Sequence, residues 1–269
     1  MQRNRQRLEQ AREMISYGKV SGAVGTHANI DPRVEEIVCR RLGLKPSPAS
    51  SQILQRDRHA QLLTTLAILS TSLEKFATEI RNLQRTEIRE VEEHFAAGQR
   101  GSSAMPHKRN PWVSEQVSGL ARVVRGYVVP ALENIVTWHE RDLANSSVER
   151  IIIPDACTLV DYQLVTFTRI VRELQVFPEA MAANIHRMGG LVFSQQLMLA
   201  LVDRGVSRDD AYKLVQRNAA AAWQGADFQQ QVLADPEIRA HLSEADIERC
   251  FDLQYHLKHI DHTFAQLGI

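Results

Sequence analysis

Residues 98–111 read GQRGSSAMPHKRNP, fourteen positions that hold two serines, a histidine and three cations between paired glycines and prolines. Asn110 followed by Pro111 reads as a helix start, a side-chain cap and then proline at the first helical position. The positive end of that helix dipole then faces the stretch. Lys108 and Arg109 stand just before it, an arrangement that suits a carboxylate or a phosphate. Gly98 and Gly101 are candidate hinges. Ser102 and Ser103 set two hydroxyls beside the cations, and a serine can act as a nucleophile or, with its alkoxide stabilised, as a base. A nucleophile wants a histidine partner and often a strand-to-helix elbow, whereas GSSAMP is not G-x-S-x-G and no strand pattern precedes it. On the residues alone, a solvated connection between helices accounts for the stretch as well as a site does.

Two further stretches are rich in groups that bind anions. WHERDLANSSVER at 138–150 holds Arg141, Asp142, Ser146, Ser147 and Arg150, and arginine grips carboxylate and phosphate bidentately. Its placement reads as an interhelical turn. SSQILQRDRH at 50–59 carries Gln52, Arg56, Asp57 and His59. Asp57 reads as a first-turn acid or the partner of a nearby arginine, and His59 as structural.

Long helices must carry these stretches. Residues 57–97 contain neither Gly nor Pro, and Leu62, Leu66, Leu69, Leu73, Phe76, Ile80 and Leu83 step by four and three. That heptad seam belongs to a bundle helix, about 60 Å long if it runs the whole way. A second helix is expected from Pro111 to about Glu140, with Val113, Val117, Leu120, Val124 and Val128 on one stripe and a kink at Pro130. A third is expected from about Asp155 to Val176, with Cys157, Val160, Leu164, Phe167, Val171 and Leu174 inward. Pro178 in FPE starts the next. No segment alternates at period two, so no sheet is expected. After residue 181 the helical segments shorten to about 194–204, 208–222, 227–233, 243–250 and 254–266. Ser207 with Asp210 and Ser243 with Asp246 have the spacing of capping boxes. The expected architecture is all-α: a long-helix bundle over 1–181 and a smaller helical domain over 182–269.

Composition narrows the class. The chain of 269 residues is 44% hydrophobic and 24% charged, with 32 Lys plus Arg against 32 Asp plus Glu. A balanced charge argues against a dedicated nucleic-acid binder, and Arg3, Arg5, Arg7 and Arg12 read as a solvated helix face. Cys39, Cys157 and Cys250 are too scattered for a disulfide framework or a zinc site. No apolar run approaches the roughly 20 residues of a membrane span, and the charged N-terminus is unlike a signal peptide. The expectation is a soluble cytoplasmic protein without nucleic-acid or membrane partners. Residues 1–15 look like the middle of an amphipathic helix without a cap, so a chain shortened at its N-terminus is expected.

GSSAMPHKRNP closely resembles the Gly-Ser-Ser-x-Met-Pro-x-Lys-x-Asn loop of the fumarase/aspartase superfamily. SGAVGTHANIDPRVE (21–35), LQRDRHA (54–60), EVEEHFAAGQRGSSAMPHKRNP (90–111), WHERDLANSSVERIIIPDA (138–156) and HLKHIDHTF (256–264) resemble its bacterial adenylosuccinate lyase family. Carboxymuconate cycloisomerases carry a very similar loop, but the WHERD segment and the C-terminal helices favour the lyase.

The resemblance implies a long-helix bundle of the fumarase/aspartase type and a β-elimination. Adenylosuccinate would give AMP and fumarate, and the succinylcarboxamide ribotide would be split in the same way. Ser102 matches the catalytic base. Lys108 and Asn110 match groups that hold the succinyl carboxylate, with Ser103 and Met105 of the same motif in the substrate site. Gln52 matches a substrate-binding glutamine, and Arg141, Ser146 and Arg150 match groups that bind the nucleotide part. The resemblance implies no metal or cofactor, and a homotetramer whose active sites are shared among subunits. The family's general acid is a histidine in a Thr-His motif upstream of the GKVSGAVGT region. No such motif occurs in these residues, and His27, His59, His107 and His139 do not match it, so little or no lyase activity is expected of the chain alone. The alternatives are a related lyase or cycloisomerase, or a non-catalytic helical assembly protein.

Overall fold

A computed structural model of the chain describes residues 1–269 except Ala97, Gln99, Arg100 and Ser103. The described residues form two compact units, Met1–Val176 and Phe177–Ile269.

The first unit contains α1 (Gln2–Ile15), β1 (Tyr17–Gly18), α2 (Pro32–Arg41), β2 (Lys45–Pro46), α3 (Asp57–Leu83), β3 (Val91–Glu92), α4 (Trp112–Gly126), α5 (Val128–Glu133), α6 (Leu143–Glu173) and β4 (Gln175–Val176). α3 is the axis, with α1, α4, α5 and α6 packed around it. Its Leu63, Leu66 and Leu69 meet Val124 of α4, Ala131 of α5, and Ile152, Ala156 and Val160 of α6 in one buried cluster. α4 and α5 run back along α3, and α6 then runs parallel to it. Arg56 at the start of α3 pairs with Glu149 near the start of α6, while Ser70 meets Gln163 further along both. Gln163 is fully buried. It accepts a hydrogen bond from Ser70 Oγ at 2.6 Å and donates to the Val117 carbonyl at 2.8 Å, so one side chain fixes three helices in register.

Several expectations need correction. α3 stops at Leu83 rather than continuing towards 97, which makes it about 40 Å long. Thr86, Glu87 and Arg89 beyond it are exposed. The lack of Gly and Pro removed helix breakers there without supplying a face to bury. The second helix breaks at Tyr127 and ends at Glu133. Pro130 lacks the N–H that would bond the Gly126 carbonyl, and its ring crowds that carbonyl, so the break falls one turn earlier. The third helix starts at Leu143, capped by Asp142, and passes through Pro154. Its buried face is Ile152, Ala156, Val160, Gln163, Thr166 and Ile170, with Cys157 and Val171 outside. Val160 and Leu164 of the expected stripe pack on the α3 cluster and Phe167 stacks on Phe76 of α3 at 6.1 Å, so the stripe is inward in its middle, while small and hydrogen-bonded residues beside it complete the packed face. Two pairs of two-residue strands exist where none were expected. β1 pairs in parallel with β2, and β3 pairs antiparallel with β4. They bridge loops and leave the fold all-α. The α1 arginines are exposed as expected.

The second unit contains α7 (Pro178–His186), a 3-10 turn (Leu191–Phe193), α8 (Ser194–Asp203), α9 (Arg208–Trp223), α10 (Phe228–Ala234), α11 (Pro236–Arg239), α12 (Glu244–Cys250), α13 (Gln254–Leu257) and α14 (Ile260–Leu267). Its core gathers Leu197, Leu201, Val215, Phe228, Ile238 and Ile247. Ser207 accepts from Asp210 N at 3.2 Å, and Ser243 with Asp246 forms a reciprocal capping box. The last expected helix is interrupted at Lys258 and His259. Cys39 and Cys250 are buried, Cys157 is exposed, and all three are free. Among the described residues no helix is long and apolar enough to cross a membrane.

Candidate active site

Side chains of β3 alternate in direction, and two adjacent carboxylates use that alternation to close the base of the 98–111 loop. Glu92 pairs with Arg109 Nη1 at 2.6 Å. Glu93 is buried and accepts from Ser114 N at 2.7 Å, Val113 N at 3.3 Å and Ser114 Oγ at 2.5 Å. The cap of α4 is therefore Glu93, across twenty-one positions of sequence. The expected Asn110–Pro111 cap is not formed: Pro111 takes the N-cap position and supplies no side-chain bond. The positive end of the α4 dipole is met by a carboxylate of the chain itself and is not offered to a ligand. Arg109, paired with Glu92 and lying 5.3 Å from the centre of the Phe95 ring, is likewise engaged.

Lys108 and Asn110 are left available. Among the described residues neither side chain has a hydrogen bond or ion pair, and both line a cavity of about 630 Å³ with Met105, His107 and Arg89. Arg89 has a left-handed backbone, φ 49°. That conformation is uncommon outside glycine and clusters at functional sites. Ser102 is half-buried, and its Oγ accepts from Ala104 N and Met105 N, each at 3.1 Å. Two amide donors on one hydroxyl oxygen favour its charged form. These donors come from the loop's own backbone. Ser103 lies outside the described residues. The two glycines differ: Gly98 has φ 81°, while a Cβ on Gly101 would sit 1.8 Å from the Lys108 carbonyl oxygen. Gly101 is needed for a close approach of two loop strands rather than as a hinge.

The other two stretches meet each other. Ser51 Oγ and Gln52 N both donate to the Glu140 carbonyl, at 2.9 and 3.2 Å. Arg56 grips Glu149 through two nitrogens, both side chains being largely buried. Gln52, Arg141 and Arg150 are exposed around this clasp, and Ser146 is half-buried, donating to Asn145 Oδ1 at 3.4 Å. Ser146, Ser147 and Arg150 lie on the first turns of α6 rather than in an interhelical turn. Asp57 sits in the first turn of α3, as expected. Burial, and after it the Arg56 charge, holds His59 below the ordinary histidine value. Its Nδ1 is buried without a partner among the described residues.

The chain thus brings Gln52 together with the Arg141–Arg150 segment at one end of α3, and Ser102 with Lys108 and Asn110 at the other. α3, about 40 Å long, separates the two groups. Among the described residues no cluster of three His, Cys, Asp or Glu side chains gathers as a metal site. Sequence reasoning missed Gln84, Glu92, Glu93 and Glu149. The available signal was the Glu-Glu pair leading into a cationic loop, with Ser114 just after the proline that closes it.

A family model described as lyase matches residues 1–126, and one described as adenylosuccinate lyase C-terminus matches residues 190–267. Adenylosuccinate lyase from Bacillus subtilis (strain 168) is 54% identical over 270 residues, covering 100% of this chain and 63% of the relative. Adenylosuccinate lyase from Synechocystis sp. is 52% identical, covering 99% of this chain and 62% of the relative. The chain therefore spans less than two thirds of the length of these relatives. Among solved structures, a 3-carboxy-cis,cis-muconate lactonizing enzyme from Pseudomonas putida matches with a TM-score of 0.82 at 29% identity, over 93% of this chain and 56% of that one. A β-carboxy-cis,cis-muconate cycloisomerase from Acinetobacter calcoaceticus matches with a TM-score of 0.85 at 20% identity, over 98% and 60%.

Proposed function

We propose that the chain is part of an adenylosuccinate lyase, and that the protein splits adenylosuccinate into AMP and fumarate, and the succinylcarboxamide ribotide in the same way, in the cytoplasm. The observation that carries the chemistry is the Ser102 hydroxyl oxygen held by two backbone N–H groups, with Lys108 and Asn110 of the same loop lining a cavity and unpaired among the described residues.

Ser102, as the alkoxide, removes the proton from the carbon next to a succinyl carboxylate. The amide hydrogens of Ala104 and Met105 stabilise that alkoxide. Lys108 and Asn110 hold the carboxylate and stabilise the charge that grows on it as the carbanion forms its aci-carboxylate. The C–N bond then breaks, fumarate leaves, and the nitrogen takes a proton from a general acid that none of the residues here matches. Ser103 and Met105 complete the succinyl side. Gln52, Arg141, Ser146 and Arg150 bind the nucleotide, the arginines through its phosphate.

The two groups of residues lie a helix length apart in one chain, so the proposal requires an assembly in which the loop of one copy meets the Gln52–Arg141 group of another. A homotetramer meets that need. An apolar cavity of about 370 Å³ between α3 and α6, lined by Phe76, Leu164, Phe167 and Val171, supports packing of further helices on this face.

The test follows the absorbance of adenylosuccinate with the chain alone and mixed with the part of the Bacillus subtilis relative that it does not match. We expect turnover in the mixture, abolished by Ser102→Ala. Unchanged activity in Ser102→Ala removes Ser102 as the base. A mixture inert towards adenylosuccinate but active on carboxymuconate replaces the lyase with a cycloisomerase.

A further inference from the structure

We propose that Glu93 is the positioning residue of the 98–111 loop: its buried carboxylate ties the strand that enters the loop to the helix that leaves it, and so sets where Lys108 and Asn110 stand. The inference deepens the lyase reading and rests on it for its catalytic consequence.

Three side chains from the approach to the loop reach its exit. Glu93 binds two backbone amides and the Ser114 hydroxyl in the first turn of α4. Glu92 binds Arg109. Gln84, at the end of α3, accepts from Glu93 N at 3.0 Å and donates to the Arg109 carbonyl at 3.4 Å. Of these anchors only Glu93 holds the helix itself. Glu93 as a residue is 6% exposed and its carboxylate meets three donors there, whereas the Arg109 side chain in the Glu92 pair is 54% exposed. Lys108 and Asn110 lie six and four positions before Ser114, on a segment whose one side-chain tether among the described residues is the half-exposed Arg109–Glu92 pair. Their placement is inherited from the helix start, and the helix start is held by Glu93. The anionic charge matters as well as the hydrogen bonds, because it faces the positive end of the α4 dipole.

The residues that need moderate freedom lie between the anchors. Met105, His107 and Lys108 are exposed. The device therefore fixes the end of the loop that carries the carboxylate clamp.

The experiment compares the wild-type chain with Glu93→Ala and Glu93→Gln by limited trypsin digestion, reading the bonds after Lys108 and Arg109. Glu93→Ala is expected to raise cleavage at those bonds about tenfold or more, because an unlatched loop samples open states. Glu93→Gln, which keeps an acceptor oxygen and loses the charge, falls between it and wild type. Cleavage in the Phe177–Ile269 unit and the thermal midpoint serve as controls. In the adenylosuccinate assay, Glu93→Ala lowers kcat by about tenfold to a hundredfold, the cost of roughly an ångström of misplacement, with KM little changed, and Glu93→Gln recovers most of it. Equal cleavage in all three proteins overturns the proposal. So does a fall in thermal midpoint with kcat per folded molecule unchanged, which would mark a plain helix cap. If Glu93→Ala does not fold, Glu93→Gln decides alone, and wild-type cleavage in it overturns the proposal. If the wild type mixed with the unmatched part of the Bacillus subtilis relative does not turn over adenylosuccinate while the cleavage difference holds, the lyase reading falls and the anchor stands.

Discussion

Arg56→Met isolates the clasp that holds the proposed nucleotide-binding group together. The Arg56 and Glu149 side chains are 12% and 14% exposed, and the guanidinium meets both carboxylate oxygens. Removing the arginine strands a carboxylate with little water to replace the lost donors. Breaking a fully buried pair from one side costs about 3–5 kcal/mol. The residual exposure puts this one near the lower end, about 3 kcal/mol. For a unit of this size that lowers the thermal midpoint by about 6–12 °C. Glu149→Gln in the same background removes the stranded charge and should return about 1 kcal/mol or more. A pH signature accompanies the loss. Burial first, and Arg56 second, hold His59 below its usual value. The unfolded chain then protonates this histidine first as pH drops below about 6.5, so stability is full above that value and declines as pH falls towards the folded-state value. Taking away Arg56 removes one of the two causes and should flatten that decline. Thermal and urea unfolding of the two single variants and the double variant, from pH 7.5 to 5.5, read all of this. A loss under about 0.5 kcal/mol for Arg56→Met, the size of an exposed pair, or a double variant no better than the single one, refutes the reasoning.

Gln163→Leu keeps the volume of the fully buried side chain but removes the acceptor of the Ser70 hydroxyl and the second donor to the Val117 carbonyl. It should cost about 2 kcal/mol in urea unfolding, and adding Ser70→Ala should recover part of that. In the second unit, burial pushes the Asp235 carboxyl up, but Asn218, Arg217 and the N–H groups of Glu237 and Ile238 outweigh it and hold the group below the usual carboxylate range. The stability it contributes is present above about pH 4 and is lost as pH falls through its folded value. Acid unfolding of Asp235→Asn, followed by hydrogen exchange in α9 and α11, should show a less stable unit at pH 7 and a weaker dependence on pH between 4 and 2.

The starts of α9 and α12 were legible to the residue because their caps are local, Ser207 with Asp210 and Ser243 with Asp246 lying three positions apart, whereas α11 and the break at Lys258 and His259 were not. The bundle was legible in class and less so in detail. Heptad spacing marks α3, but its end at Leu83 falls where the following residues, Thr86, Glu87 and Arg89, offer no face to bury, which the absence of Gly and Pro did not signal. On α6 the apolar spacing marks Val160, Leu164 and Phe167, which do pack on α3, but not Ala156, Gln163 and Thr166 beside them, whose value lies in close approach and in hydrogen bonds to Ser70 and Val117. The loop's chemistry could be read from its residue types. Its latch could not, since Glu93 and Ser114 are joined by tertiary folding alone. Nor does any spacing reveal that Gln52 and Ser102 lie at opposite ends of α3.

That separation gives the most direct test of a lyase site built between copies. Ser102→Ala and Arg141→Met chains, each combined with the unmatched part of the Bacillus subtilis relative, are assayed for loss of adenylosuccinate absorbance separately and after joint refolding. Each alone should be inert, and the jointly refolded sample should recover turnover, because some sites then take an intact loop from one chain and an intact Arg141 group from another. A jointly refolded sample as inert as its components, beside an active wild type, contradicts the account.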